Sequence, residues 1–321
     1  MTGAASPLGR AVVTALRRRS AHVTGMVRRL NGVTTMRRLG AEPHVGDLSR
    51  TEGMLKAMQG CDAVFHVAGF FDFWARNPAT FEAVNVEGTK HVLAAAILAK
   101  VPRVVFASSA LTIGEAPGDE GHEWTQHRGY TLSEFERTKL AAEKAAAKLR
   151  GRGLQVVTVN PSLIVSPADT GWTGRLLRDA VVGRQRFVTD APLSWVWVED
   201  AALGMLHAYE RGKDGERYIL SGDVVPMRRF LARVARLAGR SAPSRAPAWL
   251  AASGAKLTSV ISESLGRRPA LPADEQRFLQ TGLRVDGAYA VQELGIEYTP
   301  IDTYLPHVVK SYRVAAERFG D

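Results

Sequence analysis

Three short, nearly continuous apolar runs, CDAVFHVAG, PRVVFASSA and LQVVTVNPS, alternate with two long helical patterns, NVEGTKHVLAAAILAK and FERTKLAAEKAAAKLRGRG. A strand that is apolar on both faces must be covered on both, and successive strands joined by helices run parallel. This alternation restricts the chain to an α/β architecture with a parallel sheet between helical layers. Upstream, GRAVVTALRRRS carries a helical stripe at Val12, Ala15 and Leu16, and AHVTGMVR reads as a strand. Beyond residue 165 the pattern loosens, with scattered Gly and Pro around PMRRFLARVARLAG and the amphipathic stretch 247–266. The expected organisation is a dinucleotide-binding domain over 1–165, to which about 190–212 returns, and a substrate-binding or lid domain mainly over 166–321.

With 321 residues and 45% apolar content, the chain can bury a sizeable core. No run of 18 uncharged apolar residues occurs, so no transmembrane helix is expected. The start MTGAASPLGR lacks signal-peptide order, and a lone Cys61 excludes an internal disulfide. Both features make a cytoplasmic location the expectation. The net charge of +10 is dispersed over short arginine clusters such as Arg28–Arg29 and Arg267–Arg268. A nucleic-acid binder concentrates its charge in one stripe, so no nucleic-acid partner is expected. An anionic cofactor or substrate accounts for a local part of the excess. The 8 histidines show no metal-ligand spacing, and no metal is expected.

The stretch TGAASPLG resembles the Thr-Gly-x-x-Gly-x-x-Gly loop of short-chain dehydrogenases/reductases, which turns from strand to helix and sets pyrophosphate against helix N-terminal amides. Gly3 and Gly9 fit, whereas Ser6 occupies the middle glycine position. Ser6-Pro7 is nonetheless a sound helix start, since serine caps and proline suits the first helical position. Only Met1 precedes the loop, although a central strand of about 5–6 residues is expected there. Its absence forgoes roughly three buried side chains at about 1.5–3 kcal/mol each. The expectation is therefore that an upstream segment, or another part of the chain, fills that position. At the end of AHVTGMVR, Arg28 would favour a ribose 2′-phosphate, pointing to NADP(H) over NAD(H). Asp47 and Leu48 in VGDLS stand where an adenine-contacting pair would, although Asp47 alone also reads as a helix cap.

From these stretches through VNPSLIVSP, WVEDAALG, ERYILSG and VQELGIEY, residues 2 to about 298 resemble the extended short-chain dehydrogenase/reductase family. The likeness is to dihydroflavonol-reductase-like proteins and hopanoid-associated sugar epimerases of the NAD-dependent epimerase/dehydratase group. The resemblance implies a Rossmann-type doubly wound parallel sheet with a smaller C-terminal α/β substrate domain. It implies NAD(P)-dependent chemistry on a small-molecule alcohol or carbonyl, with a homodimer as an open alternative to a monomer. By the same resemblance Val67, Ala68 and Gly69 lie beside the cofactor ribose, and Asn85 organises the site. Ser109 meets the reacting oxygen, Lys139 binds the nicotinamide ribose, and Pro161 through Val165 run along the nicotinamide.

The departure lies in FERTKLAAE: Phe135 stands where the family places a catalytic tyrosine. Position 135 precedes Lys139 by one helical turn, so both should face the cleft. A phenol beside an ammonium exchanges a proton with the reacting oxygen in either direction, whereas a phenyl ring cannot. Tyr130 is the nearest phenol in sequence and a candidate substitute. Glu136 is expected to face solvent, His66 to be a satisfied core residue, and His122 and His127 to lie on the approach to the cleft. Three functions stay open: an oxidoreductase with a substituted proton donor and weak or lost cofactor binding among its variants, a non-redox lyase, isomerase or cyclase, and a non-catalytic nucleotide- or ligand-binding protein.

Overall fold

A computed structural model describes residues 1–149, 153–246 and 267–319; the stretch 247–266 lies outside them. The first half runs α1 (Pro7–Arg18), β1 (Thr24–Val27), α2 (Leu30–Arg38), β2 (Glu42–Val45), α3 (Thr51–Met58) and β3 (Ala63–His66). It continues with α4 (Ala79–Phe81), a π-helical turn Glu82–Glu87, α5 (Gly88–Leu98), β4 (Arg103–Ala107), α6 (Glu134–Leu149) and β5 (Gln155–Pro161). Helix α1 starts where Ser6 and Pro7 indicate, the Ser6 hydroxyl accepting the Gly9 N–H at 3.0 Å. Its Leu8, Val12, Val13 and Leu16 are buried, the stripe that a 3.6-residue period places on one face.

The second half adds β6 (Leu163–Val165), α7 (Trp172–Val182), β7 (Phe187–Val188), β8 (Pro192–Trp197), α8 (Val198–Arg211), β9 (Arg217–Leu220), β10 (Val224–Pro226) and α9 (Met227–Leu237). Among the described residues, the helices α10 (Ala273–Thr281), α11 (Ala288–Leu294) and α12 (Ile301–Phe319) follow. Strands β3, β4, β5 and β9 form a parallel sheet in that order. Helix α8 packs on α1, β4 and β5, so the chain returns to the first layer. A separate small sheet has β8 at its centre, parallel to β6 and antiparallel to β10. Around it a second core forms, in which Trp195 stacks on Phe230 at 3.9 Å and Trp197 on Tyr304 at 4.9 Å.

The two residues before the glycine loop join β1–β2 to the larger sheet. Met1 donates its ammonium to Thr24 O at 2.7 Å and accepts Met26 N–H at 2.8 Å. On the other side Thr2 N–H reaches Phe65 O at 3.0 Å, and Thr2 bridges in parallel with His66. Met1 and Thr2 thus occupy one end of the central strand position, giving the order β2, β1, Met1–Thr2, β3, β4, β5, β9, a Rossmann arrangement. Beyond Met1 a cleft of roughly 240 Å³ opens, lined by Leu16, Val23, Ala63, Phe65 and Tyr209 among others.

Candidate active site

The glycine loop is built so tightly that only glycine fits at two positions. Gly3 has φ +66°, and a Cβ there would stand 2.5 Å from Ala68 N. A Cβ on Gly9 would stand 2.1 Å from Gly3 O. Ser6 has φ −68°, a conformation open to any residue, so serine in the middle glycine position introduces no backbone strain. Its side chain is used as the cap of α1 and also lines a cavity of roughly 280 Å³ at the ends of the parallel strands. This is the crevice at the carboxyl ends of the strands, where open α/β sheets bind ligands.

Each strand contributes to that cavity through its end. Val67 and Gly69 follow β3, Ser108 and Ser109 follow β4, Pro161 ends β5, and Ser162 leads into Leu163 and Ile164 of β6. Phe135 and Lys139 reach it from α6, one turn apart as their spacing requires. Lys139 Nζ donates to Ala107 O at 2.7 Å and lies 4.5 Å from the centre of the Phe106 ring. Burial pushes the Lys139 pKa down to about 8, partly opposed by the Glu143 charge. Ser109 caps a short 3-10 turn, its Oγ accepting Leu111 N–H at 3.3 Å. Behind it, Asn160 donates to Ser109 O at 3.0 Å and to Glu143 at 2.8 Å, while Thr112 donates to Glu143 at 2.6 Å. Asn160, Thr112 and Glu143 are therefore positioning groups that motif reading missed, though Glu143 closes the KLAAE stretch four residues after Lys139.

Asn85 sits in the π turn, a distortion frequent at functional sites. Its Oδ1 accepts Phe70 N–H at 2.8 Å, and its Nδ2 donates to Phe70 O at 3.1 Å and Thr138 Oγ1 at 3.0 Å. Asn85 so ties the loop after β3 to α6. His66 is fully buried between Thr2 Oγ1 at 2.7 Å and Thr89 Oγ1 at 2.9 Å. Burial, reinforced by the Lys139 charge, pushes its pKa to about 3, so the ring stays neutral as a core residue.

Several expected placements change. Tyr130 is 54% exposed and lines a different cleft with His127 and Lys144, so it is not brought to Ser109 and Lys139. His122 stacks on Trp124, and His127 stands 3.4 Å from Glu136; neither lines the cavity. Glu136 does not face solvent: it is completely buried, bonded to Arg128 and, at 2.8 Å, to Leu132 N–H. Burial pushes its pKa up to about 7. Val165 packs into the core of the second layer and does not line the cavity, whereas Leu163, from the same core, and Ile164 do. Asp47 accepts Ser49 N–H at 2.7 Å ahead of α3, and that bond with the nearby Arg28 charge holds its carboxyl low. Leu48 is buried, and Arg28 is exposed just past β1. The Ser108 and Ser162 hydroxyls are buried in the cavity without a hydrogen-bond partner among the described residues; Ser162 belongs to the expected 161–165 stretch, whereas Ser108 went unnoticed in sequence.

Phe135 is 6% exposed, and its ring centre lies 4.6 Å from that of Phe71, which also lines the cavity. Phe71 in turn meets Phe73 at 5.6 Å and Trp172 at 6.3 Å. The position of the family's phenol is thus part of a continuous aromatic wall.

The NAD dependent epimerase/dehydratase family matches residues 1–221. A Synechocystis sp. protein that carries a provisional dihydroflavonol 4-reductase name is 30% identical over 318 residues, 96% of this chain and 92% of its own. A 4-hydroxy-2-methyl-3-oxo-4-farnesyl-3,4-dihydroquinoline-1-oxide ketoreductase of Stigmatella aurantiaca is 33% identical over 238 residues, 72% of this chain and 70% of its own. The crystal structure of gox2253 superposes with a TM-score of 0.84 at 28% identity, covering 98% of this chain and 97% of that one. With this fold and this cavity, the chain belongs to the NAD dependent epimerase/dehydratase family and is an enzyme of the NAD(P)-dependent reductase, epimerase or dehydratase kind.

Proposed function

We propose that the protein is an oxidoreductase favouring NADP(H) that interconverts a carbonyl and an alcohol on a small, apolar, ring-bearing molecule. The observation that carries this reading is one cavity holding Ser109 and Lys139 against the Phe71–Phe135 wall. The reductase names of relatives across most of the chain support it.

The residues present fit a dinucleotide. The close approach of Gly3 to Ala68 and of Gly9 to Gly3 leaves backbone, not side chain, facing the N-terminus of α1, where pyrophosphate would lie with Ser6. Val67, Ala68 and Gly69 would flank a ribose, Asp47 and Leu48 the adenine, and Lys139, positioned near Asn85, the nicotinamide ribose. The buried Ser108 and Ser162 hydroxyls lack partners within the protein and suit a polar ligand group next to Pro161. When bound, the cofactor supplies or accepts hydride. The protein's part is to hold the reacting oxygen at the Ser109 hydroxyl and to keep water from the reacting carbon with its aromatic wall.

Titration with NADPH and NADH, following nicotinamide fluorescence, tests this directly. Saturable enhancement is expected, tighter for NADPH, and a folded protein that binds neither dinucleotide ends the reading. Arg28→Ala should weaken NADPH by about 1.5–3 kcal/mol, the value of a charge-assisted contact, and leave NADH nearly unchanged. Equal losses for both would remove the preference. A non-redox lyase, isomerase or cyclase is the second reading, favoured by Phe135 closing the phenol position with an apolar ring. Its signature would be dinucleotide binding without consumption alongside conversion of substrate.

A further inference from the structure

Carbonyl reduction leaves an oxygen that must take a proton at once, and Phe135 has none to give. Among the described residues lining the cavity, the titratable side chains are Lys139 and Asp169. Asp169 is committed elsewhere, its Oδ1 accepting Gly171 N–H at 2.9 Å and its Oδ2 accepting Gly174 N–H at 3.2 Å. Lys139 is committed once, through its bond to Ala107 O, and an ammonium has three N–H groups. We propose that Lys139 itself delivers the proton to the reacting oxygen, so that it is a catalytic residue and not a ribose anchor alone. The inference rests on the reductase reading above.

The surroundings of Lys139 suit that role. No carboxylate among the described residues pairs with it. Glu143, on the same helix, is turned to Thr112, Asn160 and Arg217. His66 on β3 is neutral, and β4 offers the Phe106 ring and the Ala107 carbonyl. Desolvation, only partly offset by the Glu143 charge, makes the ammonium readier to release its proton, and its pKa near 8 lies close to working pH. An ordinary lysine would hold its proton too tightly to serve at neutral pH.

Hydride from the reduced nicotinamide forms a C–H bond at the carbonyl carbon as the C=O π bond breaks. The oxygen takes a proton from Lys139 Nζ, directly or through the Ser109 hydroxyl. The product is the alcohol, the dinucleotide leaves oxidised, and the neutral amine recovers its proton from water. In the oxidation direction the neutral amine accepts the alcohol proton.

Two measurements test it. In cofactor-free protein, acetylation of Lys139 by acetic anhydride, followed against pH by peptide mass spectrometry, should have its midpoint near 8. A midpoint in the ordinary lysine range overturns the proposal. With NADPH and phenanthrenequinone as probe, reduction should fall about tenfold per pH unit above that midpoint. Lys139→Arg keeps the charge but does not titrate, so it should still enhance nicotinamide fluorescence while losing about a hundredfold or more in turnover. Wild-type turnover in Lys139→Arg overturns the proposal. If wild type is inert and Phe135→Tyr is active, Lys139 is no sufficient donor, and the reductase reading stands without it. If both are inert with NADPH bound, the reductase reading itself falls.

Discussion

Phe135 and Lys139 show how one side-chain exchange redistributes stability and chemistry within a turn of helix. The phenyl ring completes an aromatic wall with Phe71, while the ammonium is left buried without a carboxylate partner. Such a buried cation is destabilising, and the sign follows from proton linkage. The folded pKa of about 8 lies below the ordinary lysine value of 10.5, so the unfolded chain binds the proton more tightly and stability rises with pH across that interval. Lys139→Met should therefore stabilise the protein by on the order of 2 kcal/mol at neutral pH and by less at pH about 10, while abolishing turnover. Urea unfolding at the two pH values measures this; a destabilised variant at neutral pH would mean that the Ala107 bond outweighs desolvation. The residues that sequence reading placed in the cavity from FERTK are there because i and i+4 share a helix face. Glu136 was not legible in the same way. Its burial depends on Arg128 and Leu132 in a loop that folds back over α6, and nothing in the helical period reports that contact.

At the scale of elements, the parallel half was legible because buried strands carry their signal locally, in runs such as AVFH and RVVFA. The second layer was not, because β6 and β10 have only 3 residues each and reach β8 from separated parts of the chain. The central strand position is where local reading and structure speak to the same physics. Met1 and Thr2 make three backbone hydrogen bonds to β1 and β3 that a longer strand would continue. An extended segment of about five β-branched residues joined ahead of Met1 should run between β1 and β3 along the cleft lined by Val23, Ala63 and Phe65. Burying about three of its side chains should raise stability by several kcal/mol, since each contributes about 1.5–3. Thermal unfolding of the extended and unextended chains compares them. An unchanged midpoint, or loss of the folded state, would mean that the cleft does not accept a strand.

On the whole molecule, the cavity is walled by the strand ends and α6, by the loop after β3, and by the second layer at the start of α7. Asp72 stands on that loop, next to Phe71 on the cavity wall, and pairs with Arg175 of α7 at 2.8 Å and with Arg268 at 2.7 Å. Arg268 continues to Glu275 at 3.3 Å, which accepts the Trp172 indole N–H at 2.8 Å. These residues span positions 72 to 275, so no local pattern could join them; only the fold does. The Asp72 carboxylate is mostly buried at 13% exposure, whereas both arginines are about a third exposed, which places the cluster between a surface pair and a buried one. Asp72→Asn keeps the shape and removes the charge shared by two guanidinium groups. It should lower stability by about 1–2 kcal/mol, less than a fully buried pair would lose because solvent screens the arginines. Because Phe71 and Trp172 are coupled through this clamp, the same variant should speed hydrogen exchange in the loop after β3 and in α7, with β4 and β5 unchanged. It should also raise KM for an apolar carbonyl substrate more than it lowers kcat, since the wall loosens while Ser109 and Lys139 stay anchored to β4 and α6. Exchange that rises uniformly over the parallel sheet would instead identify Asp72 as a general stabiliser with no particular hold on the cavity.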